Sequence, residues 1–503
     1  MYCPVEAWRI VEYLSKLCYT DTIDIFGECR IKFKKGRQLM GSGKNEWIDK
    51  FWVRDRGFYR NVLLILIPIV LQSIINQGVN MMDTVMVGKL GEASISASSL
   101  ANQFYNIFTF LCMGISAAGL VLSSQYFGAN DLRTVRRVFD LILQIVIIGG
   151  AAFAIVTFLL PRPIMRIFST EEDVIELGAQ YLRITAFIYL PHGVSLVVSN
   201  VIRSIGNAKL GLYVSIASFI VNIGANYIFI FGKLGAPALG VMGAAVGTLI
   251  ARGVEFLFCA IYLLKYEKTL KYKAAGLLKL PGRGLFGEFR RLGMPAIISD
   301  SLLALAASVI SIILGHMGKE IVSAYAIVTV MDRMATVAIQ GATSAAGVVI
   351  GQTVGRGEFK RAQTEGWTFL ILSAIIGVIG GVLVLILGEW SIGLYEIEPS
   401  TVDITVSMME ASAIIVFFQA IQSALSKGIL RGGGDTKFLM IADIIFQWLA
   451  SIPLGAMAGL VLDLPPALVL VALRVDFIIK SVWLVFRLKS GKWIHRAKKM
   501  GDD

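Results

Sequence analysis

Long apolar runs, each followed by a short polar segment, succeed one another along most of the chain. A run of roughly 20 apolar residues is long enough to cross a bilayer as a helix. Segments of alternating residues, which are typical of membrane β-barrels, do not occur. The pattern therefore predicts an all-α membrane protein with twelve transmembrane helices. The runs lie at about residues 60–84, 94–124, 133–159, 174–202, 210–232, 238–265, 292–315, 322–351, 364–393, 404–430, 437–460 and 465–488.

The pattern of the first helix recurs near residue 286. The first copy reads FYRNVLLILIPIVLQSIINQGVNMMDTVMVGKLGE, and the second reads GEFRRLGMPAIISDSLLALAASVISIILGHMGKE. Pro68 aligns with Pro295 and Gly88 with Gly315 at one constant offset. Six predicted helices, an even number, separate the copies, so the two halves should run parallel about an axis along the membrane normal. Two six-helix lobes of this kind, facing each other, would enclose a central cleft.

The repeat divides the chain into five predicted segments. They are an N-terminal extension (1–57), an N-terminal six-helix lobe (58–264), a cytoplasmic linker (265–291), a C-terminal six-helix lobe (292–490) and a cytoplasmic tail (491–503). The extension lacks the pattern of a signal peptide. One hypothesis is that translation starts at Met40, because Gly36-Arg37 back-translates to a purine-rich sequence just upstream. The alternative is a short amphipathic arm on the membrane surface.

Composition and charge agree with a membrane protein. Apolar residues make up 56% of the 503 residues and charged residues only 16%, which is unusual for a soluble chain. Basic residues concentrate in the gaps after even-numbered helices, so the positive-inside rule predicts a multi-pass protein of the cell membrane with both termini in the cytoplasm. These loops explain the net charge of +12, and we predict no nucleic-acid partner. The basic gap residues include Arg133, Arg137, Arg203, Lys209, Arg356 and Lys360, and acidic residues of the opposite gaps include Glu171, Glu172, Asp173 and Asp403.

Four polar residues interrupt the first apolar run. Gln72, Asn76, Asn80 and Asp83 are spaced four, four and three apart, which places them on one helical face. An aspartate in hydrocarbon costs at least about 2.5–3.5 kcal/mol, so this stripe should face a wet cavity or other polar groups. The counterpart of Asp83 in the second copy is Ile310, so only one half carries the acid.

Further polar residues lie in the fifth and sixth predicted helices. Asn222 and Asn226 are one turn apart, and Thr248 follows the glycine-rich segment GVMGAAVGT. Carboxylate, amide and hydroxyl oxygens are ligands that a hard cation accepts. Hydrogen bonding between helices is the alternative interpretation of the two asparagines.

The second half contains its own charged residues. Asp332 and Arg333 are adjacent in the eighth predicted helix, where neighbours point about 100° apart, so each should pair with another helix. We predict that Asp300 of the seventh helix pairs with Arg333. A fixed ion pair and a role towards substrate or proton both remain open. Asp476 and Lys480 are interpreted as a pair within one helix.

Five motifs together resemble those of the MATE (multidrug and toxic compound extrusion) transporters, from about Phe58 to Val485. They are PIVLQSIINQGVNMMDTVMVGKLGE, GISAAGLVLSSQYFGAND, VNIGANYIFIFG, GVMGAAVGT and ILRGGGDTK. The resemblance implies a V-shaped pair of lobes that exports organic, often cationic, drugs or metabolites in exchange for H⁺ or Na⁺ by alternating access. It also implies a cation site at the positions Asp83, Asn222, Asn226 and Thr248.

Some members of the family carry an acid where this chain has Asn226, which leaves a single carboxylate here. Proton and sodium coupling are therefore both open, and we favour the proton. For the substrate cleft we name Gln72, Asn76, Asn80, Asp300 and Arg333.

We assign no catalytic residue, no resident cofactor and no metal other than Na⁺ at Asp83. The expected partners are a small organic substrate and membrane lipid, and the expected state is a monomer. The alternative function is a flippase for a lipid-linked substrate. That function usually needs a more cationic cavity than Arg333 alone would provide. An enzyme is not expected, because the predicted helices contain no His/Asp or Cys/His constellation.

Overall fold

The computed structural model describes residues 51–90, 92–273, 276, 277, 279, 282–393 and 399–498. By contacts the chain divides into two units, Met1–Arg54 and Asp55–Asp503, and the fold considered below is that of the second. The hypotheses about Met40 and a surface arm concern residues outside the described part of the chain. Within that part, every regular element is helical, as the apolar runs predict.

The first half of the unit contains eight α-helices. They are α1 (Arg56–Gly88), α2 (Glu92–Gly128), α3 (Leu132–Leu159), α4 (Pro161–Phe168), α5 (Glu172–Thr185), α6 (Tyr189–Ser204), α7 (Lys209–Phe231) and α8 (Val241–Ile261). A 3₁₀ turn, Ala186–Ile188, joins α5 to α6 without a break, so one helical segment continues across Pro191. A π-helical turn, Tyr262–Tyr266, extends α8.

The second half also contains eight α-helices. They are α9 (Arg283–His316), α10 (Lys319–Arg356), α11 (Phe359–Ile392), α12 (Pro399–Ser423), α13 (Thr436–Asp443), α14 (Ile452–Leu460), α15 (Pro466–Leu473) and α16 (Val475–Lys489). The π-helical segments Ala424–Leu430 and Ile444–Ser451 extend α12 and join α13 to α14. Helix α9 begins at Arg283, inside the segment predicted to be the linker.

Eleven helical segments of the described residues are long and apolar enough to cross a membrane. The twelfth predicted run, at 465–488, is also helical but is interrupted at one residue. This run consists of α15 and α16, which meet at Arg474, where φ is −120° and ψ is 11°. Hydropathy is averaged over the whole run, so it does not reveal a break in the helix at a single residue.

The two halves pack closely against each other through small residues. Helix α2 contacts α9, and α1 contacts α10. A Cβ on Gly114 of α2 would lie 3.0 Å from the Ile297 Cα of α9, and a Cβ on Gly341 of α10 would lie 2.6 Å from a Val70 methyl of α1. Glycine at these positions lets the helices approach closely, as is common between membrane helices.

The two halves also contact each other where α2, α6 and α10 end. We call this region the basic end, because the turns that follow these helices carry the basic residues named in the sequence analysis. Gln352 Nε2 donates to the Ser204 carbonyl at 2.9 Å, which joins the two halves. Gln125 Nε2 donates to the Gly432 carbonyl at 3.0 Å, and the Ala497 amide donates to Gln125 Oε1 at 2.7 Å. The C-terminal segment, predicted as a tail, also contacts the second half, because Trp493 Nε1 donates to Gln363 Oε1 at 2.8 Å.

The buried apolar clusters at the opposite end each stay within one half. One contains Met86, Ile175 and Ile230 of the first half, and another contains Ile310 and Val469 of the second. Within the described part of the chain, a cluster that combines both halves includes Leu285 and Phe289 at the start of α9, near the basic end. This arrangement is consistent with two lobes that close at the basic end and enclose a cleft towards the other.

Candidate cation and substrate sites

Three of the four predicted cation ligands meet between α1 and α7. Asp83 is partly buried near the end of α1, and Asn226 Nδ2 of α7 donates to its Oδ1 at 2.6 Å. The same nitrogen lies 3.4 Å from Asn222 Oδ1, one turn back along α7. Asn222 and Asn226 are almost fully buried. The only direct partners of the Asp83 carboxylate among the described residues are therefore neutral amides.

Asn226 also provides an oxygen with no partner. Its Oδ1 is buried and accepts no hydrogen bond within the described part of the chain. Leaving a buried acceptor unsatisfied costs about 1–3 kcal/mol, and a cation bound beside Asp83 would remove that cost. Asn226 therefore presents its amide nitrogen to Asp83 and an unpaired carbonyl oxygen to α8.

Gly247 of α8 makes room for this oxygen. A Cβ at Gly247 would lie 2.0 Å from Asn226 Oδ1, so any side chain there would displace the amide. The sequence analysis did not name Gly247 as a site residue. The available signal was the glycine-rich segment GVMGAAVGT, in which Gly247 directly precedes Thr248.

Thr248 lies on α8 beside this group but makes a different contact. Its Oγ1 donates to the Ala244 carbonyl of its own helix at 2.9 Å. Among the described residues, no hydrogen bond links Thr248 to Asp83 or to either asparagine. Its hydroxyl oxygen still has lone pairs with which to accept, so its place in a ligand set stays a prediction.

The nearest positive charge is largely neutralised by its own partner. Arg252 of α8 interacts electrostatically with Asp83, and its Nη1 donates to both carboxylate oxygens of Glu255 at 2.9 Å. Because Arg252 and Glu255 form a pair, the excess charge of this region is the negative charge of Asp83. The electrostatics therefore favour a cation.

The rest of the polar stripe on α1 divides into two environments. Gln72 Oε1 accepts a hydrogen bond from Arg203 Nη2 at 3.1 Å, near the basic end. Gln72 also lies against Gly211 of α7, where a Cβ would come within 2.7 Å of its Oε1. Asn76 and Asn80 have exposed side chains. The assignment of these three residues to a substrate cleft stays a prediction.

The predicted pairing of Asp300 with Arg333 was wrong. Arg431 donates from Nη1 and Nη2 to the two carboxylate oxygens of Asp300, both at 2.9 Å. This two-point geometry is the strong form of an arginine–carboxylate contact. Arg431 belongs to the ILRGGGDTK motif and reaches α9 from the end of α12, which spacing along the chain could not reveal. Arg333 is exposed and lines a cavity instead.

A second charged cluster is fully buried in the C-terminal half. The predicted pair of Asp476 and Lys480 is confirmed, with Nζ 3.5 Å from Asp476 Oδ2. A closer partner is Asp443 of α13, at 2.7 Å. The Ser299 hydroxyl donates to Asp443, and the Ser451 hydroxyl to Asp476 at 3.3 Å. One lysine therefore ties α13 to α16.

The MatE family model matches the chain twice, over residues 68–228 and 295–457. A probable multidrug resistance protein NorM of Agrobacterium fabrum is 28% identical over 473 residues, which cover 88% of this chain and 97% of that protein. The multidrug resistance protein MdtK of Yersinia pseudotuberculosis is 22% identical, covering 87% of this chain and 96% of its own. A solved multidrug resistance MATE family transporter in an outward-facing conformation superposes with a TM-score of 0.79 at 17% identity, over 90% of this chain and 100% of that chain.

Proposed function

The chain belongs to the MATE family of membrane transporters, and from this premise we propose that it exports small organic compounds, often cationic, in exchange for H⁺ or Na⁺ bound at Asp83. The relatives named as multidrug resistance proteins support an efflux transporter. The exchange and the identity of the coupling ion are our proposal.

The observation that carries the proposal is the pairing of Asp83 with neutral amides. A carboxylate held by Asn226 keeps an uncompensated charge, whereas one paired with arginine or lysine does not. The unpaired Asn226 Oδ1 would be a natural second ligand for Na⁺. A proton would need only the carboxylate. Both ions therefore suit the same group of residues.

Packing of the two halves supports alternating access. The contacts through Gln125 and Gln352 hold the basic end closed, while the buried clusters at the other end stay within single halves. A transporter of this build changes access by rocking one half against the other. Entry of a cation at Asp83 would have to favour one of the two arrangements, because a ligand shifts an equilibrium only by differential binding.

The test is efflux of a cationic dye, ethidium, from proteoliposomes that contain the purified full chain. One series imposes a Na⁺ gradient at constant pH, and the other imposes a pH gradient without Na⁺. Efflux driven by one gradient and lost in Asp83→Asn is the expected result. Efflux that neither gradient accelerates, or that Asp83→Asn leaves unchanged, would overturn the proposal.

A further inference from the structure

A cavity of about 310 Å³ lies in the C-terminal half, between α9, α10, α12 and the junction of α15 with α16. Its volume falls in the range of small-molecule sites, which begin at roughly 300 Å³. It shares no lining residue with the group around Asp83. Besides two arginines and one aspartate it is lined by Ala307, Ser311, Tyr325, Thr329, Thr336, Ser412, Ile415, Gln419, Leu470 and Phe477.

Two arginines contribute to the wall of this cavity without a carboxylate partner. Arg474 Nη2 donates to the Tyr325 hydroxyl at 3.2 Å, and its guanidinium lies 5.5 Å from the centre of the Phe477 ring. Arg333 has an exposed side chain. Neither arginine comes within ion-pair distance of a carboxylate in the described part of the chain, in contrast to Arg252 and Arg431, which both do.

One carboxylate also lines the cavity and must be counted. Asp332 accepts a hydrogen bond from the Ser412 hydroxyl and interacts electrostatically with Arg474. Its charge offsets that of one arginine, which leaves an excess of one positive charge among the lining residues. The other polar lining groups are hydroxyls and the Gln419 amide, which carry no charge.

The break between α15 and α16 is where the chain brings Arg474 to this cavity. A charged residue within a predicted membrane run is costly and usually faces a cavity or partner inside the bundle. Interrupted helices of transporters commonly mark a binding site. Arg474 combines both features. Its direct partners are a phenol and an aromatic ring, and it also interacts electrostatically with Asp332 and with Asp476, which is itself paired with Lys480.

We propose that this cavity binds the carboxylate of a small organic acid, free or as part of a zwitterion. Arg333 and Arg474 would pair with the carboxylate, and Ile415, Leu470 and Phe477 would cover the apolar part of the molecule. This inference deepens the proposed function. The claim that the bound acid is transported rests on that function. Binding itself does not depend on that claim.

The test is equilibrium binding to the purified full chain in detergent, with dansylglycine and its uncharged counterpart dansylglycinamide as fluorescent probes. Dansylglycine should bind at least about tenfold more tightly than the amide, because a hydrogen bond to a charged group is the stronger kind. Arg333→Gln and Arg474→Gln should each weaken dansylglycine binding by about tenfold or more. Arg474→Lys keeps the positive charge but loses the planar guanidinium, so its affinity for dansylglycine should lie between those of the unchanged protein and Arg474→Gln.

Lys319→Gln is the matched control, because Lys319 begins α10 with its side chain 85% exposed and does not line the cavity. It should leave binding unchanged. Asp332→Asn should keep or tighten dansylglycine binding, since it removes the one negative charge. Thermal melting of each variant identifies any that fails to fold, and Arg333→Gln tests the proposal at an exposed position should Arg474→Gln misfold.

Equal affinity for the acid and the amide would overturn the proposal, as would full affinity in the folded arginine variants. Loss of dansylglycine binding in a folded Asp332→Asn variant would also overturn it, because binding would then depend on the aspartate rather than on the two arginines. These measurements need no ion gradient. Intact binding together with failed efflux would therefore refute the transport function and leave the acid site standing.

Discussion

Asp83 and two of the acids in the C-terminal half have different kinds of partner. In the N-terminal half, Asp83 is held by the neutral amide of Asn226. In the C-terminal half, Asp300 is paired with Arg431, and Asp443 is paired with Lys480. An amide leaves the charge of a carboxylate uncompensated, while a guanidinium or ammonium group cancels it. The comparison teaches that partner type, rather than the presence of a buried acid, separates a candidate ion site from a structural pair.

The uncompensated charge also differs in sign between the halves. Around Asp83 the excess charge is negative, because Glu255 neutralises Arg252. Around the C-terminal cavity it is positive, because Arg333 and Arg474 face one aspartate. The two halves of a duplicated fold therefore carry polar groups with an excess charge of opposite sign.

The repeat is preserved where the halves meet. A Cβ on Gly128 would come within 2.0 Å of the Gln352 carbonyl oxygen, and a Cβ on Gly355 within 1.9 Å of the Gln125 carbonyl oxygen. Gly128 corresponds to Gly355 and Gln125 to Gln352, so the two contacts are reciprocal. Packing at the basic end is thus symmetric between the two halves, whereas the polar residues around Asp83 and around the C-terminal cavity are not.

The largest expected effect is that of Asp83→Asn, which should abolish gradient-driven ethidium efflux from proteoliposomes. The amide is close in size to the carboxylate but carries no charge to hold a cation. Ile310→Val, at the corresponding position of the other half, is the control. Ile310 is fully buried in an apolar cluster, so this smaller change should cost only about 0.5–1.5 kcal/mol of stability and leave efflux in place. An equal loss of efflux in Asp83→Asn and Ile310→Val would contradict the proposed difference between the two halves.

The next effect concerns stability rather than transport. Lys480→Met should destabilise the protein by about 3–5 kcal/mol, because it leaves Asp443 and Asp476 buried without their cation. The thermal midpoint in detergent, compared with that of exposed Lys319→Met, measures the loss. Adding Asp443→Asn and Asp476→Asn to the Lys480 variant should restore much of it. An unchanged thermal midpoint in Lys480→Met would mean that Asp443 and Asp476, like Asp83, do not need a cationic partner.

The sequence predicted the membrane-helical fold and its repeat because both depend on the spacing of apolar residues and on residues such as Pro68 and Gly88 that recur at a constant offset. The family resemblance also grouped Asp83 with Asn222 and Asn226, whereas helical spacing placed only the two asparagines on one face of their helix. The sequence did not predict that Asp300 meets Arg431 or that Asp443 meets Lys480. Those contacts join helices that are distant along the chain, and helical spacing says nothing about which helices become neighbours.

A smaller effect is expected at the glycine that borders the Asp83 group. If Na⁺ is the coupling ion, Gly247→Ala should raise the Na⁺ concentration for half-maximal efflux roughly tenfold, about 1.4 kcal/mol, because the new methyl group would displace the Asn226 carbonyl. Gly253→Ala on the same helix is a close control, since a Cβ there meets no atom within 4 Å. Half-saturation by the driving ion in proteoliposomes is the readout. If the two alanine variants behave alike, the unpaired carbonyl has no part in ion binding.

The smallest effect, Thr248→Val, separates the two coupling ions. Valine has nearly the shape of threonine, so the change removes an oxygen without opening a void, and the hydroxyl now bonds only to its own helix. If Na⁺ is the coupling ion and Thr248 is a ligand, the Na⁺ concentration for half-maximal efflux should rise roughly two- to tenfold, the scale of about 0.5–1.5 kcal/mol for one neutral contact. If H⁺ is the coupling ion, efflux driven by a pH gradient should change by less than about twofold, since a proton needs no oxygen shell. Thr364→Val is the control, because Thr364 of α11 bonds to its own helix in the same way, at the Lys360 carbonyl. If Thr248→Val lost efflux as completely as Asp83→Asn, both the Na⁺ and the H⁺ model would be contradicted. The neutral hydroxyl of Thr248 would then be as important as the uncompensated carboxylate of Asp83.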